Sequence, residues 1–152
     1  MNQKVRYLGL AVIILGVEAL AMGIVFIQQG FAQESWLVDT MTQEQITMPD
    51  GSGTIINSEA TARAAGDLVR QHRHNIAPTY GDLLGGENFD PTNTTQLTYA
   101  QALNLENYLY LAVASFGVFT VVKASGAFMV VVGIGLGLTG FALWRTAKGS
   151  RP

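Results

Sequence analysis

The chain has 152 residues, 49% of them hydrophobic and 13% charged, with a mean hydropathy of +0.27, whereas soluble domains carry about 25% charged residues. Its formal net charge of −2 offers no electrostatic footprint for nucleic acid. It contains no cysteine, which excludes disulfides, iron–sulfur clusters, thiolate nucleophiles and cysteine-ligated zinc.

The charge is unevenly spread. Nine of the eleven acids lie between Gly30 and Leu105, offset only by Arg63, Arg70 and Arg73, which leaves that stretch at −6. The flanks hold Lys4, Arg6, Lys123, Arg145, Lys148 and Arg151 against Glu18 and Glu106 alone. An acidic polar middle between apolar, basic-edged ends is the pattern of an integral membrane protein. The expected fold is all-α, with two or three transmembrane helices and a small α+β extramembrane segment at 30–102.

The first apolar run, 7–27 within an N-terminal segment 1–29, is long enough to cross a hydrocarbon core of roughly 30 Å. It exceeds the h-region of a signal peptide and carries Glu18, so it reads as a retained span rather than a cleaved leader. Its glycines, Gly9, Gly16, Gly23 and Gly30, recur every seven residues. That period places them on one slowly winding stripe suited to left-handed close packing. Glu18 lies about 200° around the helix from Gly16. A carboxylate in mid-span is costly and faces a protein interior, a wet path or a partner helix.

In the middle segment, two short β-branched runs around Pro49-Asp50-Gly51-Ser52-Gly53 predict a β-hairpin at about 45–57. Ser58 is the candidate N-cap of a helix over about 58–74, on which Ala65, Leu68, Val69 and His72 would share a face. Arg70, His72, Arg73 and His74 concentrate the segment's basic groups. They are candidates for contact with an acidic partner or lipid headgroups. The two histidines are two residues apart, unlike the i, i+4 pair of zinc helices, so no metal site is expected. Residues 78–97 are rich in turn signals, and Thr98-Tyr99-Ala100-Gln101 matches a capping box opening the next helix. Glu106 and Asn107 then head the second apolar block as a possible polar patch.

That block, within 103–145, is too long for one crossing as a single helix. It is interrupted at Lys123-Ala124-Ser125-Gly126. One reading is a hairpin of two spans, 103–122 and 127–144, turning at 123–126. The other is one glycine-rich span preceded by an apolar stalk that must be buried elsewhere. Basic flanks favour two spans with both ends cytoplasmic. The cost of an exposed apolar stalk in water tips the reading to three. Lys123 at a turn would snorkel to the interface rather than pair with Glu18. Gly133 and Gly137 form a small-xxx-small pair, completing with Gly9, Gly16 and Gly23 the helix-packing candidates, and residues 146–152 read as a basic tail.

No nucleotide-binding loop, nucleophile elbow or metalloprotease motif is present, and no cofactor or catalytic residue is expected. The sequence points to a small non-enzymatic multi-pass protein of the plasma membrane, an accessory or structural subunit contacting the bilayer and other membrane subunits or copies of itself. The alternative is a homo-oligomeric channel or transport component with Glu18 on the permeation or proton path.

Overall fold

The computed structural model describes residues Asn2–Gly149 as four helices: α1 (Asn2–Gln43), α2 (Glu59–Ile76), α3 (Tyr80–Leu84) and α4 (Thr94–Gly149). It is 81% helical, with no strand among the described residues. The tail residues Arg151 and Pro152 lie outside the described residues. Contacts divide the chain into two units, one built from α1 through Gln33 with α4 from Phe119 onward, the other from Glu34–Val118.

In the first unit α1 and α4 meet along a seam of glycines. A Cβ at Gly9 would sit 2.9 Å from the Gly140 carbonyl, and one at Gly16 would sit 2.8 Å from that of Gly133. At Gly23 it would sit 2.6 Å from the Gly126 carbonyl, and at Gly30 2.6 Å from Lys123 Cγ. The partners Gly140, Gly133 and Gly126 descend by seven as Gly9, Gly16 and Gly23 ascend by seven, so the two stripes run antiparallel in fixed register. All seven of these glycines are buried. Gly137 contributes its backbone, 2.7 Å from a Cβ at Gly16, whereas its own Cβ direction is open.

The expected hairpin at 123–126 is not formed, and with it goes the three-span reading. Helix α4 runs unbroken through Lys123, Ala124, Ser125 and Gly126. Gly126 serves the seam instead of a turn, and the Lys123 ammonium lies 4.8 Å from the centre of the Phe31 ring. Both long helices carry a stretch apolar and long enough to cross a membrane, so among the described residues there are two such helices rather than three.

In the second unit α2 packs on α4. The core joins Ile56, Ala62, Ala65, Val69, Leu109 and Val113, with Met41 and Met48 against it. Phe116 is buried as well, so the inner face of the apolar stretch before Lys123 is covered rather than left to water. Ala62, Ala65 and Gly66 keep the α2 face thin, and Gly66 faces the Tyr110 ring, which a Cβ would approach to 3.3 Å. Helix α2 opens on a capping box between Ser58 and Thr61. It closes at Ala77, held extended (φ −154°, ψ 144°), as a residue before proline prefers.

Three local expectations are corrected. The β-hairpin at 45–57 amounts to one antiparallel bridge, Thr47 with Ile55, flanked by bonds from Met48 N to Thr54 O (2.8 Å) and Ile56 N to Ile46 O (2.9 Å). Its two runs have four residues each, and an isolated two-stranded ribbon is marginal. The turn between them is tightened by Ser52 N donating to Asp50 Oδ1 (2.9 Å), which leaves no length for strands. Within 78–97, α3 forms with Thr79 as N-cap and Gly85 in the left-handed region (φ 58°) closing it. Helix α4 begins a turn before Thr98, because Asn93 Oδ1 accepts from Thr95 N (3.0 Å) and Gln96 N (3.2 Å). The Thr98 hydroxyl instead donates to the Thr94 carbonyl (2.8 Å).

The seam makes one substitution costly and a near neighbour harmless. Gly133→Ala, whose Cβ would lie 2.7 Å from both Gly16 O and Leu20 N, should destabilise the α1–α4 pair by about 1–3 kcal/mol. Gly135→Ala meets nothing within 4 Å and should leave the melting temperature in detergent unchanged or slightly raised, since alanine favours the helix. Equal melting temperatures for the two variants would remove the seam from the fold's determinants.

Candidate functional site

The densest cluster of charged groups lies in the second unit. Arg70 and Arg73 are three residues apart on α2 and so lie on neighbouring positions of one face. Opposite them α4 presents Tyr99, Glu106 and Tyr110. Arg73 Nε donates to Glu106 Oε2 (2.7 Å) and Arg70 Nε donates to Glu106 Oε1 (2.9 Å), so one carboxylate holds two guanidinium groups, one on each oxygen. Arg73 also donates through Nη1 to the Tyr99 hydroxyl, and its guanidinium carbon lies 4.9 Å from the Tyr99 ring centre. Arg70 covers the Tyr110 ring at 4.6 Å, and the Tyr110 hydroxyl donates to Asp67 Oδ1 (2.6 Å). Tyr80 reaches the outer side of Tyr99, with ring centres 6.1 Å apart.

Tyr99 is fully buried, Glu106 is 4% exposed and Arg73 8%. Burial pushes the Glu106 carboxyl up, but the hydrogen bonds and charges of Arg73 and Arg70 outweigh it and hold the pKa below the ordinary carboxylate value. Both arginines are raised, chiefly by their bonds to Glu106. Tyr110 is raised by burial and by its bond to Asp67. Both Glu106 oxygens are thus engaged as acceptors of charged donors. The cluster holds α2 on α4, with both oxygens of Glu106 committed to arginine donors.

This placement revises the basic candidates. Arg73 is buried, not a surface contact, because the packed face of α2 runs Ala62, Ala65, Gly66, Val69, Arg73. His72, grouped with that face in the sequence, is exposed, as are Arg70 and His74. His74 Nε2 lies 3.2 Å from Arg73 Nη2. Among the described residues no three histidine, aspartate or glutamate side chains gather as a metal site. The sequence signal that could have found the staple is Glu106 itself, the one acid of α4, facing a segment whose only cations are three arginines on α2. Tyr99 and Glu106 are seven apart and so share a face of α4, a spacing the sequence reading left unused.

The intramembrane candidates fall in the first unit. Gly9, Gly16, Gly23 and Gly133 line the seam, and Gly126 and Gly140, not singled out as contacts, join them. Gly16 is buried while Glu18 is exposed on the other side of α1. On its face stand Ile14, Leu15, Met22 and Val25, each half exposed or more. Lys123 packs at the level of Gly30, about 18 Å along the axis from Glu18 at 1.5 Å per residue, so the two do not pair.

With this geometry in hand, comparison with known proteins adds nothing to lean on: no family model, no curated protein and no solved structure matches the chain.

Two outcomes follow for the Glu106 cluster. Glu106→Gln leaves Arg73 charged and buried beside a neutral amide, and should cost roughly 3–5 kcal/mol in chemical unfolding, as breaking a buried pair does. Arg63→Ala, which removes an exposed i, i+4 pair with Glu59 (3.1 Å), should cost about 0.5 kcal/mol or less. A Glu106→Gln loss no larger than that of Arg63→Ala would show that the cluster does not hold the unit together. Because the folded Glu106 pKa lies below its unfolded value, its contribution is full above about pH 4.5 and is lost as pH falls through the folded value. Stability of the wild-type chain should therefore fall more steeply below pH 4.5 than that of Glu106→Gln, read as unfolding midpoints from pH 7 to 3. Parallel curves would show that Glu106 does not carry the acid sensitivity.

Proposed function

We propose that the chain is a two-span membrane protein of the plasma membrane, a non-enzymatic accessory subunit whose outer helix faces pack against other membrane subunits. The membrane reading draws on exposure as well as length. The most apolar windows of α1 and α4 are only 11% and 17% buried within the chain, whereas the core helix of a soluble protein hides its apolar residues. Water would meet Tyr7, Leu8, Leu15, Val17, Phe128 and Val131, each at least 56% exposed; lipid accepts them without penalty. The α1 seam also supports a retained span, since its removal would strip α4 of the surface that Gly126, Gly133 and Gly140 fit. With two spans the basic flanks, among them Lys4, Arg6 and Arg145, gather on the cytoplasmic side. The acidic second unit is then extracytoplasmic.

The observation that carries the accessory role is the exposure of Glu18. It stands in mid-span on an apolar face that the chain itself does not cover. A carboxyl group in hydrocarbon needs a donor, and among the described residues no side chain ion-pairs with it. A polar group on a neighbouring subunit's helix meets that need. A ring of copies with Glu18 turned to a central path meets it too, and is the second reading.

The glycines are not the residues with which to probe assembly, because they join α1 to α4 within the chain. Glu18→Ala is. Gentle extraction of the tagged full-length protein followed by native mass spectrometry should bring other subunits with the wild-type chain. The substitution should reduce their recovery about three- to twentyfold, the range for an intramembrane hydrogen bond of ~0.6–1.7 kcal/mol. Recovery of a closed ring of this chain alone, with proton or cation flux abolished by Glu18→Gln, would replace the accessory reading by the channel. A wild-type chain that always emerges alone would overturn both.

A further inference from the structure

At the basic end of the first unit a cleft of about 290 Å³ opens between α1 and α4, lined by Gln3, Arg6, Tyr7 and Leu10 of α1 and by Trp144 of α4. The four α1 residues, at positions 3, 6, 7 and 10, follow the i, i+3, i+4, i+7 pattern and so share one helix face. They are ordered by polarity. Gln3 and Arg6 form the outer wall with hydrogen-bond donors, and Tyr7, Leu10 and Trp144 form an apolar inner wall. The walls are held together by the seam, since a Cβ at Gly9 would already lie 2.9 Å from Trp144 N, and the Trp144 ring rests near that of Phe141, with centres 6.2 Å apart.

The charge around the cleft is of one sign. Residues 3–17 and 127–147 contain no aspartate or glutamate, yet they hold Lys4, Arg6 and Arg145. Among the described residues no carboxylate side chain in either stretch can neutralise Arg6, which leaves it suited to an anion supplied from outside. A guanidinium offers a planar fork of donors that matches phosphate oxygens two at a time. Tryptophan and tyrosine settle where headgroups meet hydrocarbon.

We propose that this cleft binds the headgroup of an anionic phospholipid, with the phosphate on Arg6 and Gln3 and the glycerol and first methylenes against Tyr7, Leu10 and Trp144. The inference rests on the reading of unit one as membrane-spanning. A free phosphate would use the outer wall only and leave the apolar inner wall without purpose, which is why a lipid is the better occupant. The cleft thereby adds a specific lipid contact to the general pull of the basic flanks on the cytoplasmic leaflet.

The test is native mass spectrometry of the full-length protein in detergent, titrated with phosphatidylglycerol, with phosphatidylcholine and with inorganic phosphate. Phosphatidylglycerol should be retained in preference to phosphatidylcholine, and Arg6→Gln should weaken it roughly fivefold or more. Lys4→Gln, which removes the same charge outside the cleft, should leave it nearly unchanged. Equal losses for the two variants would reduce the effect to surface charge and overturn the site. Equal retention of the two lipids would overturn it as well. If inorganic phosphate alone binds as tightly as the lipid, the cleft is a phosphate site and the lipid assignment falls. Carbonate washing of membranes separates this from the broader reading. Release of the wild-type chain would sink the membrane assignment itself, whereas a retained chain indifferent to lipid class would sink only the headgroup site.

Discussion

Two helices in lipid gain little by hiding apolar surface from each other, because the lipid tails are as apolar as leucine. What holds them is close approach, and close approach is limited by Cβ atoms. The α1–α4 pair removes that limit at regular intervals, with Gly9, Gly16 and Gly23 facing Gly140, Gly133 and Gly126. Each glycine costs about 1 kcal/mol relative to alanine in a helix, so a run of them at one spacing makes sense only where backbone contact is the return. The seven-residue period matters as much as the residue type. It keeps each contact on the shared face over several turns, and it fixes the register because sliding one helix by a turn would set leucine or valine against carbonyls. The outer faces of both helices are left apolar and exposed by this arrangement.

The second unit solves a different problem by a different means. The packed face of α2 is built largely from small residues, and Ala62, Ala65 and Gly66 offer little area with which to hold α2 in one position. The Glu106 cluster supplies the missing definition. Two guanidinium groups three residues apart must each reach a different oxygen of one carboxylate, and only one rotation and one height of α2 on α4 meet both demands. A buried ion pair adds little net stability over a well-packed apolar contact. It penalises every arrangement that leaves Arg73 or Glu106 without its partner, and that penalty acts on register.

These two devices differ in how far the sequence reveals them. The heptad of glycines in α1 is visible because nothing else in an apolar run competes with it. Its counterpart in α4 is half hidden: Gly133 and Gly137 look like the contact pair, while Gly126, beside Lys123 and Ser125, looks like a turn. The competing facts were tertiary. Lys123 finds the Phe31 ring within the helix pair and so does not break α4, and one face of the apolar stretch ahead of it is buried at Leu109, Val113 and Phe116. The cap at Ser58 was legible because capping is local chemistry. The cap at Asn93 was overlooked for the stronger-looking Thr98 motif, although Asn93 begins the helix a turn earlier. Arg73 was assigned to the surface because charged residues are rarely buried unpaired. Only its partner, thirty-three residues away, reverses that expectation. The short runs around Asp50 carried strand propensity without the length or neighbours to make a sheet.

The two long helices carry one contrast that bears on function. Each bears an acid on a largely apolar stretch, Glu106 on α4 and Glu18 on α1. For Glu106 the chain provides two guanidinium groups within 2.9 Å and removes the carboxylate from solvent. For Glu18 none of the described residues provides one, and it stands exposed among Ile14, Leu15, Met22 and Val25. Among the described residues Lys123 is the one cation of the first unit away from its basic end, and it packs about 18 Å from Glu18 along the helix, at the level of Gly30. A fold that satisfies one carboxylate so fully has the means to satisfy another. The absence among the described residues of an ion pair for Glu18, on the face opposite a seam that already joins α1 to α4, is the physical ground for looking outside the chain for what it meets.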